Sequence, residues 1–350
     1  INGAGSTADY GASINYLDNE GILKNTSLER TILRGYINQR FFSNKLKLGL
    51  TLTNSGTKSA DIFQSQALPN MLFYLPTVGP FNADGTYKEN YNRTGSGTRN
   101  PLSIVDNNTI DNLNNKILIN GTAQVEIFNG LRFTASVSSQ RDQNNYSVYL
   151  NSQSGLARGV NGQARKSNVL NKSEVAEGYF NYDKLIGRHN VKLLAGYSWQ
   201  EDRSNDGFGV TTQNFSNDNL AYNNLFLSNP TLLSQIAFEN SPISTLRLIS
   251  FYGRVQYNFN EKYLFQASLR NDGSSAFGRN NQWGYFPAVS AGWRIIGEEF
   301  MKSSTLFSDL KLRAGYGVSG NSLGFDAFSS LLIYGTLSGS NKFISNGTVS

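Results

Sequence analysis

Cysteine is absent from the 350 residues, histidine occurs once, as His189, and no run of 18 apolar residues exists. Without cysteine there is neither a disulfide framework nor a thiolate metal site, and such a chain is compatible with passage through an oxidising periplasm. One histidine argues against a His-dependent triad or a His-rich metal centre. The missing apolar run excludes a helical membrane span, which needs about 20 such residues. It does not exclude a membrane barrel, whose strands alternate and average to low hydropathy. Mean hydropathy is −0.38 and 39% of residues are hydrophobic. Proline is scarce at 7, whereas Tyr (18), Phe (22), Asn, Ser and Gly are plentiful, which suits many strands joined by polar loops. The net charge of +6 is spread along the chain. A nucleic-acid binder gathers such charge on one surface, so no nucleic-acid partner is expected.

What is present is alternation. In "WGYFPAVSAGWRI" (283–295), Trp283, Tyr285, Pro287, Val289, Ala291, Trp293 and Ile295 are apolar. The residues between them, with Gln282 before, are small or polar apart from Phe286. Successive side chains of a strand point to opposite faces, so this segment has one apolar and one polar face. The pattern recurs over 8–16, 33–40, 45–53, 117–127, 131–138, 176–183, 191–200, 249–259, 263–270 and 310–319. Thus Leu46, Leu48, Leu50 and Leu52 alternate with Lys45, Lys47, Gly49, Thr51 and Thr53. About eleven strands are predicted, many of roughly ten residues or more, the length a tilted membrane strand needs.

The connections alternate too. Tight turns are expected at 42–45, 128–130, 185–190 and 259–263, and long polar excursions at 56–110, 141–170, 202–244 and 271–281, with a shorter one at 18–27. Segment 296–309 falls on the short-turn side with room for one helical turn. Short turns on one side and long loops on the other are the sidedness of an outer-membrane barrel, with the long loops extracellular. Tyr16, Trp199, Tyr257, Phe259, Tyr263, Trp283, Tyr285 and Trp293 sit near strand ends, as an interfacial girdle does. Strands favour aromatics in any setting, and a soluble sandwich also alternates; strand length and loop parity together favour the membrane. The expected fold is an all-β, antiparallel transmembrane β-barrel, apolar face to lipid and polar face to lumen, with residues 1–350 as a single partial-barrel domain.

Several stretches also carry a family resemblance. "LRNDGSSAFGRNNQWGYFPAVSAGWRI" (269–295) resembles the barrel signature of SusC/RagA-type TonB-dependent transporters of Bacteroidetes. "LISFYGRVQYNFNEKYLFQASLR" (248–270) resembles the preceding strand pair, and "EEFMK" (298–302) with "SDLKLRAGYGVSGN" (308–321) the continuation. "YGASINYLDNEGILKNTSLERTILRGYIN" (10–38) resembles the first barrel hairpin after the plug. The resemblance implies a plugged barrel of about 22 strands, of which this chain, opening at Ile1 rather than Met, is expected to be the first half of something longer. An N-terminal extension with its TonB box, a plug and the later strands are then expected outside it. It further implies import of oligosaccharide or peptide, driven through TonB–ExbB–ExbD, with a SusD-like surface lipoprotein as lid and outer-membrane lipid around the wall. A passive porin or structural barrel, a siderophore-type TonB-dependent receptor and a soluble β-rich adhesive protein are the alternatives.

No catalytic constellation emerges, and neither a cofactor nor a metal is expected. His189 lies in a tight turn, Asp272 in "NDGSS" reads as turn chemistry, and "GAG" (3–5) and "GFG" (207–209) lack the strand-to-helix context of a phosphate loop. Candidate ligand or lid contacts are the loop residues Phe73, Tyr74, Tyr87, Tyr91, Arg93, Phe215 and Tyr222, with Phe208 and Phe226 beside them: aromatic faces stack on sugars, and the same rings could instead pack the loops together. Arg34, Arg132, Arg254, Arg270, Arg294 and Arg313 fall on polar faces and are candidate lumen contacts for plug carboxylates, since unpaired charge in a narrow lumen is costly.

Overall fold

In the computed structural model the described residues are 1–88, 90–91, 97–157, 159–229, 236–239, 243–301, 306–321, 325, 327–330, 344–345 and 348–349. Thirteen strands make the main sheet: β1 (Asn2–Ala4), β2 (Ala8–Glu20), β3 (Ser27–Phe41), β4 (Leu46–Asp61), β5 (Asn108–Phe128), β6 (Leu131–Leu150), β7 (Gln163–Ile186), β8 (His189–Gln213), β9 (Ala237–Glu239), β10 (Ser244–Phe259), β11 (Tyr263–Ser274), β12 (Trp283–Arg294) and β13 (Lys311–Gly317). Hydrogen-bonded order follows chain order, except that β9 pairs on β8 beside the path. The eleven predicted strands are all present; the extra two, β1 and β9, are three-residue pieces too short to show alternation.

Several strands outrun their predicted ends. β4 continues to Asp61, β5 begins at Asn108, β6 reaches Leu150, β7 starts at Gln163 and β8 runs to Gln213. The excursions expected at 56–110, 141–170 and 202–244 shrink accordingly. At about 3.3 Å per residue, the 25 residues of β8 reach far beyond the span of a membrane strand. Past the lipid zone neither face has to meet hydrocarbon, so the ladder continues on mixed polar and apolar residues with no strict apolar period to reveal it.

The chain divides into two compact units. In the first (Ile1–Glu126, Thr134–Ala176, Asp202–Ile243), registry aligns residues of like polarity. Tyr10, Ile37, Leu50 and Gly121 form one cross-strand row, and Gly11, Tyr36, Thr51 and Asn120 the next. Tyr36 lies so close over Gly11 that a Cβ there would meet its ring at 2.4 Å. The buried side chains sit in the long connections and in the strand ends that adjoin them. Ile62, Ala67, Ile104 and Val105 pack the helices α1 (Gln64–Phe73) and α2 (Pro101–Asp106); Ile110, Val148, Leu150 and Ala157 form a second cluster, and Tyr149, Ala164 and Phe215 a third. α2 starts where the sequence provides for it, with Pro101 in the first turn and the Asn100 side chain accepting from the Leu102 and Ser103 amides.

In the second unit (Ile127–Phe133, Glu177–Glu201, Ser244–Ser350), Val255, Ala267, Val289 and Tyr316 make an apolar row, and Arg254, Ser268, Ala288 and Gly317 its neighbour on the opposite face. Its turns are tight: Asn129–Gly130 joins β5 to β6, and Gly187–Arg188 joins β7 to β8. Gly130 has φ +93°, and a Cβ there would stand 2.5 Å from the Asp183 carbonyl oxygen, so only glycine fits. Segment 295–301 carries two short 3₁₀ turns, Ile295–Gly297 and Glu299–Met301.

Candidate functional site

The polar face of the second unit is built around Arg270. Its Nε donates to both oxygens of Asp272 (2.7 and 2.9 Å), its Nη2 donates to Ser250 Oγ (2.8 Å), and its guanidinium lies 5.5 Å from the centre of the Tyr252 ring. Tyr252 Oη donates in turn to Glu177 Oε1 at 2.5 Å. Gly196 makes room for that ring, since a Cβ there would meet it at 2.5 Å. Nearby, Lys192 pairs with Asp183 (2.9 Å) and Gln256 donates to Gln266 (2.7 Å). A dish of about 430 Å³ opens on this face, lined in part by Lys192, Gln256, Gln266, Lys311 and Arg313.

Of the six candidate lumen arginines, Arg270 and Arg294 find carboxylates within the chain, Arg294 at 3.4 Å from Asp309. The alternation itself could have located Asp272, which follows Arg270 by two residues and so shares its face. Glu177, far away in sequence, leaves no such signal. Arg34, Arg132, Arg254 and Arg313 are exposed and make no ion pair among the described residues.

The candidate loop residues divide. Phe215 is buried at 2% exposure, edge-on to Tyr149 at 5.4 Å, and is a packing group rather than a free surface ring. Tyr222 donates its hydroxyl to Asp111 and lies under the Lys166 ammonium at 5.6 Å. Burial, then that hydrogen bond, pushes the Tyr222 phenol up to about 12. Tyr74 ties its own loop by donating to the Lys88 carbonyl (2.7 Å), and Tyr87 donates to Asp106 (2.8 Å) with its ring against Phe81. Phe73 and Phe226 stand free, 71% and 98% exposed, as does Phe208 at 60%. Tyr91 lies in a two-residue strand paired with Gly97–Thr98; Arg93 lies outside the described residues. His189 contacts the Tyr257 hydroxyl at 2.7 Å in its turn.

At the turn end, Glu298 accepts from Tyr263 Oη (2.7 Å), Trp293 Nε1 (3.0 Å) and Lys262 Nζ (3.0 Å). These bonds, Tyr263's first, hold its carboxyl at about 2, well below 4.5. A depressed carboxylate contributes stability above its unfolded value and loses it as pH falls through the folded one. Stability of the refolded barrel against thermal unfolding should therefore fall from about pH 4.5 down to about 2, and Glu298→Gln should flatten that part of the profile. Superimposable profiles would refute the clamp.

Long antiparallel strands with aligned apolar and polar rows, joined by tight turns and by long packed excursions, define the wall of an outer-membrane β-barrel. No described helix is long and apolar enough to cross a membrane. Residues 13–348 match the family model "TonB dependent receptor-like, beta-barrel". The chain belongs to that family, as an open, partial barrel. The family is one of transporters and receptors, not of enzymes. TonB-dependent receptor P26 of Formosa agariphila is 32% identical over 92% of this chain and 32% of its own length. TonB-dependent receptor SusC of Bacteroides thetaiotaomicron is 25% identical over 95% of the chain and 34% of its own length. The RagAB peptide importer in its "open-open" state superposes with a TM-score of 0.76 at 23% identity, covering 92% of this chain and 36% of that one. The chain thus spans about a third of the length of the curated relatives it matches.

Proposed function

We propose that this chain forms part of the wall of a TonB-dependent importer for a bulky nutrient, an oligosaccharide or a peptide, working with a SusD-like surface lipoprotein and energised through TonB–ExbB–ExbD. The observation that carries this reading is the set of exposed polar-face arginines, Arg34, Arg132, Arg254 and Arg313, without ion pairs among the described residues. Charge of one sign around a lumen calls for carboxylates from elsewhere, and a plug segment supplies them while closing the pore. A passive porin needs neither. The relatives support the same direction, since SusC is a TonB-dependent receptor and RagAB a peptide importer. On this reading the long excursions face outward, and the exposed rings Phe73, Phe208 and Phe226 are the ligand or lid contacts, while Tyr222 and Phe215 hold the loops in shape.

The test is uptake in cells carrying the full-length gene, with and without TonB. Import of an oligosaccharide or peptide mixture should collapse without TonB, and Arg254→Ala with Arg313→Ala should raise leak of small solutes through a loosened plug. TonB-independent import would reject the energised reading.

A further inference from the structure

The apolar face of the second unit is not smooth. Ala195, Gly253 and Ala267, on three strands, form the floor of a groove of about 610 Å³, walled by Leu131, Phe180, Tyr182, Leu193, Val255 and Leu269. Phe180 is held by Phe133 at 4.7 Å and Tyr182 by Phe128 at 6.3 Å, so that wall is braced. The groove begins near the tight turns; its floor lies about five residues in, roughly 17 Å of strand. Lys184 follows Tyr182 by two residues on β7 and so shares its face; it and Arg188 of the next turn are exposed and make no ion pair among the described residues.

We propose that this groove is a phospholipid site, seating one acyl chain on Ala195, Gly253 and Ala267 and the phosphate at Lys184 and Arg188. The lining, apolar apart from Arg254 and Ser268, fits an acyl chain. In lipid, the hydrophobic effect does not favour the groove over the surrounding tails, so selection rests on close packing and on charge. A cation pair at headgroup depth supplies the charge complementarity, which favours an anionic phospholipid by about fivefold per basic residue. The site rests on the assignment of this face to lipid.

The full-length protein, refolded with vesicles of phosphatidylethanolamine and phosphatidylglycerol, would be released into detergent and examined by native mass spectrometry. One retained phospholipid per barrel is expected, enriched in phosphatidylglycerol. Gly253→Val fills the floor without conflict, since a Cβ there meets only the Leu194 carbonyl oxygen at 3.6 Å; it should lower retention about fivefold. Lys184→Gln should leave retention but lower the phosphatidylglycerol preference about fivefold. Unchanged retention in Gly253→Val, or a change of oligomeric state in that variant with lipid unaltered, overturns the proposal. Leu269→Arg separates the two premises: refolding into lipid as well as wild type means that the face is not lipid-facing at all, whereas failure to refold leaves the face assignment standing and the groove judged on lipid retention alone.

Discussion

Leu50→Arg is expected to cost about 2–4 kcal/mol of folding free energy in lipid, and Thr51→Arg, one residue along, under about 1 kcal/mol. The two positions lie at the same depth on β4, a few residues past the turn at 42–45. They differ only in face. Leu50 lies between Ile37 and Gly121 in an apolar row, and Thr51 between Tyr36 and Asn120 in a polar one. An arginine on the outer face must be taken from water into hydrocarbon or pull water and headgroups inward to meet it. On the inner face it joins a surface that already carries Arg34 and Asn38. Denaturant titration of the refolded full-length barrel in lipid measures both. Equal costs would mean that the sheet has no lipid side, and the outer-membrane reading of the rows would fall.

That face assignment is legible in the amino-acid sequence because lipid imposes it residue by residue. A period of two is the one signal a membrane strand cannot hide, and it locates all eleven long strands and the tight turns between them. Beyond the lipid the constraint lapses. The outer reaches of β7 and β8 pair through backbone groups while polar, charged and apolar side chains follow in no fixed order, so the alternation does not mark their ends. The helices α1 and α2 escape the pattern for a related reason: each is short, and α1 contains Pro69. The site is legible in part. Arg270 stands out as a polar-face cation, and Asp272 shares its face two residues on. Tyr252 with Glu177, and Tyr222 with Asp111, join residues whose nearness only the sheet creates. Aromatic content alone does not separate a ring that packs from a ring that waits for a ligand, which is why Phe215 and Phe226 look alike in the sequence and stand apart in the fold.

Phe215→Ala should loosen the loop core of the first unit by about 3–5 kcal/mol, the range for deleting a buried aromatic side chain. Its ring fills the centre of the cluster with Tyr149 and Ala164, against the half-buried Ala221, Tyr222, Leu225 and Leu227. Backbone bonds fasten the same corner: Phe215 N donates to the Asn161 carbonyl (2.6 Å) and Asn214 N to that of Gly162 (3.0 Å). Gly162 has φ +77° and lies close to the Tyr149 hydroxyl, so the corner cannot easily repack around the lost volume. The effect should stay local, because the membrane strands have their own ladder and rows. Limited proteolysis of the refolded full-length protein should therefore cut within 214–229 in the variant and spare it in the wild type. The barrel should keep its heat-modifiable migration on a gel throughout. Phe226→Ala is the counterpart, since a ring 98% exposed holds nothing in place: protease resistance should be unchanged, and any effect should appear in substrate or lipoprotein affinity. The reverse pattern, with Phe215→Ala resistant but weak in binding and Phe226→Ala cut, would exchange the roles of the two rings and return Phe215 to the ligand surface.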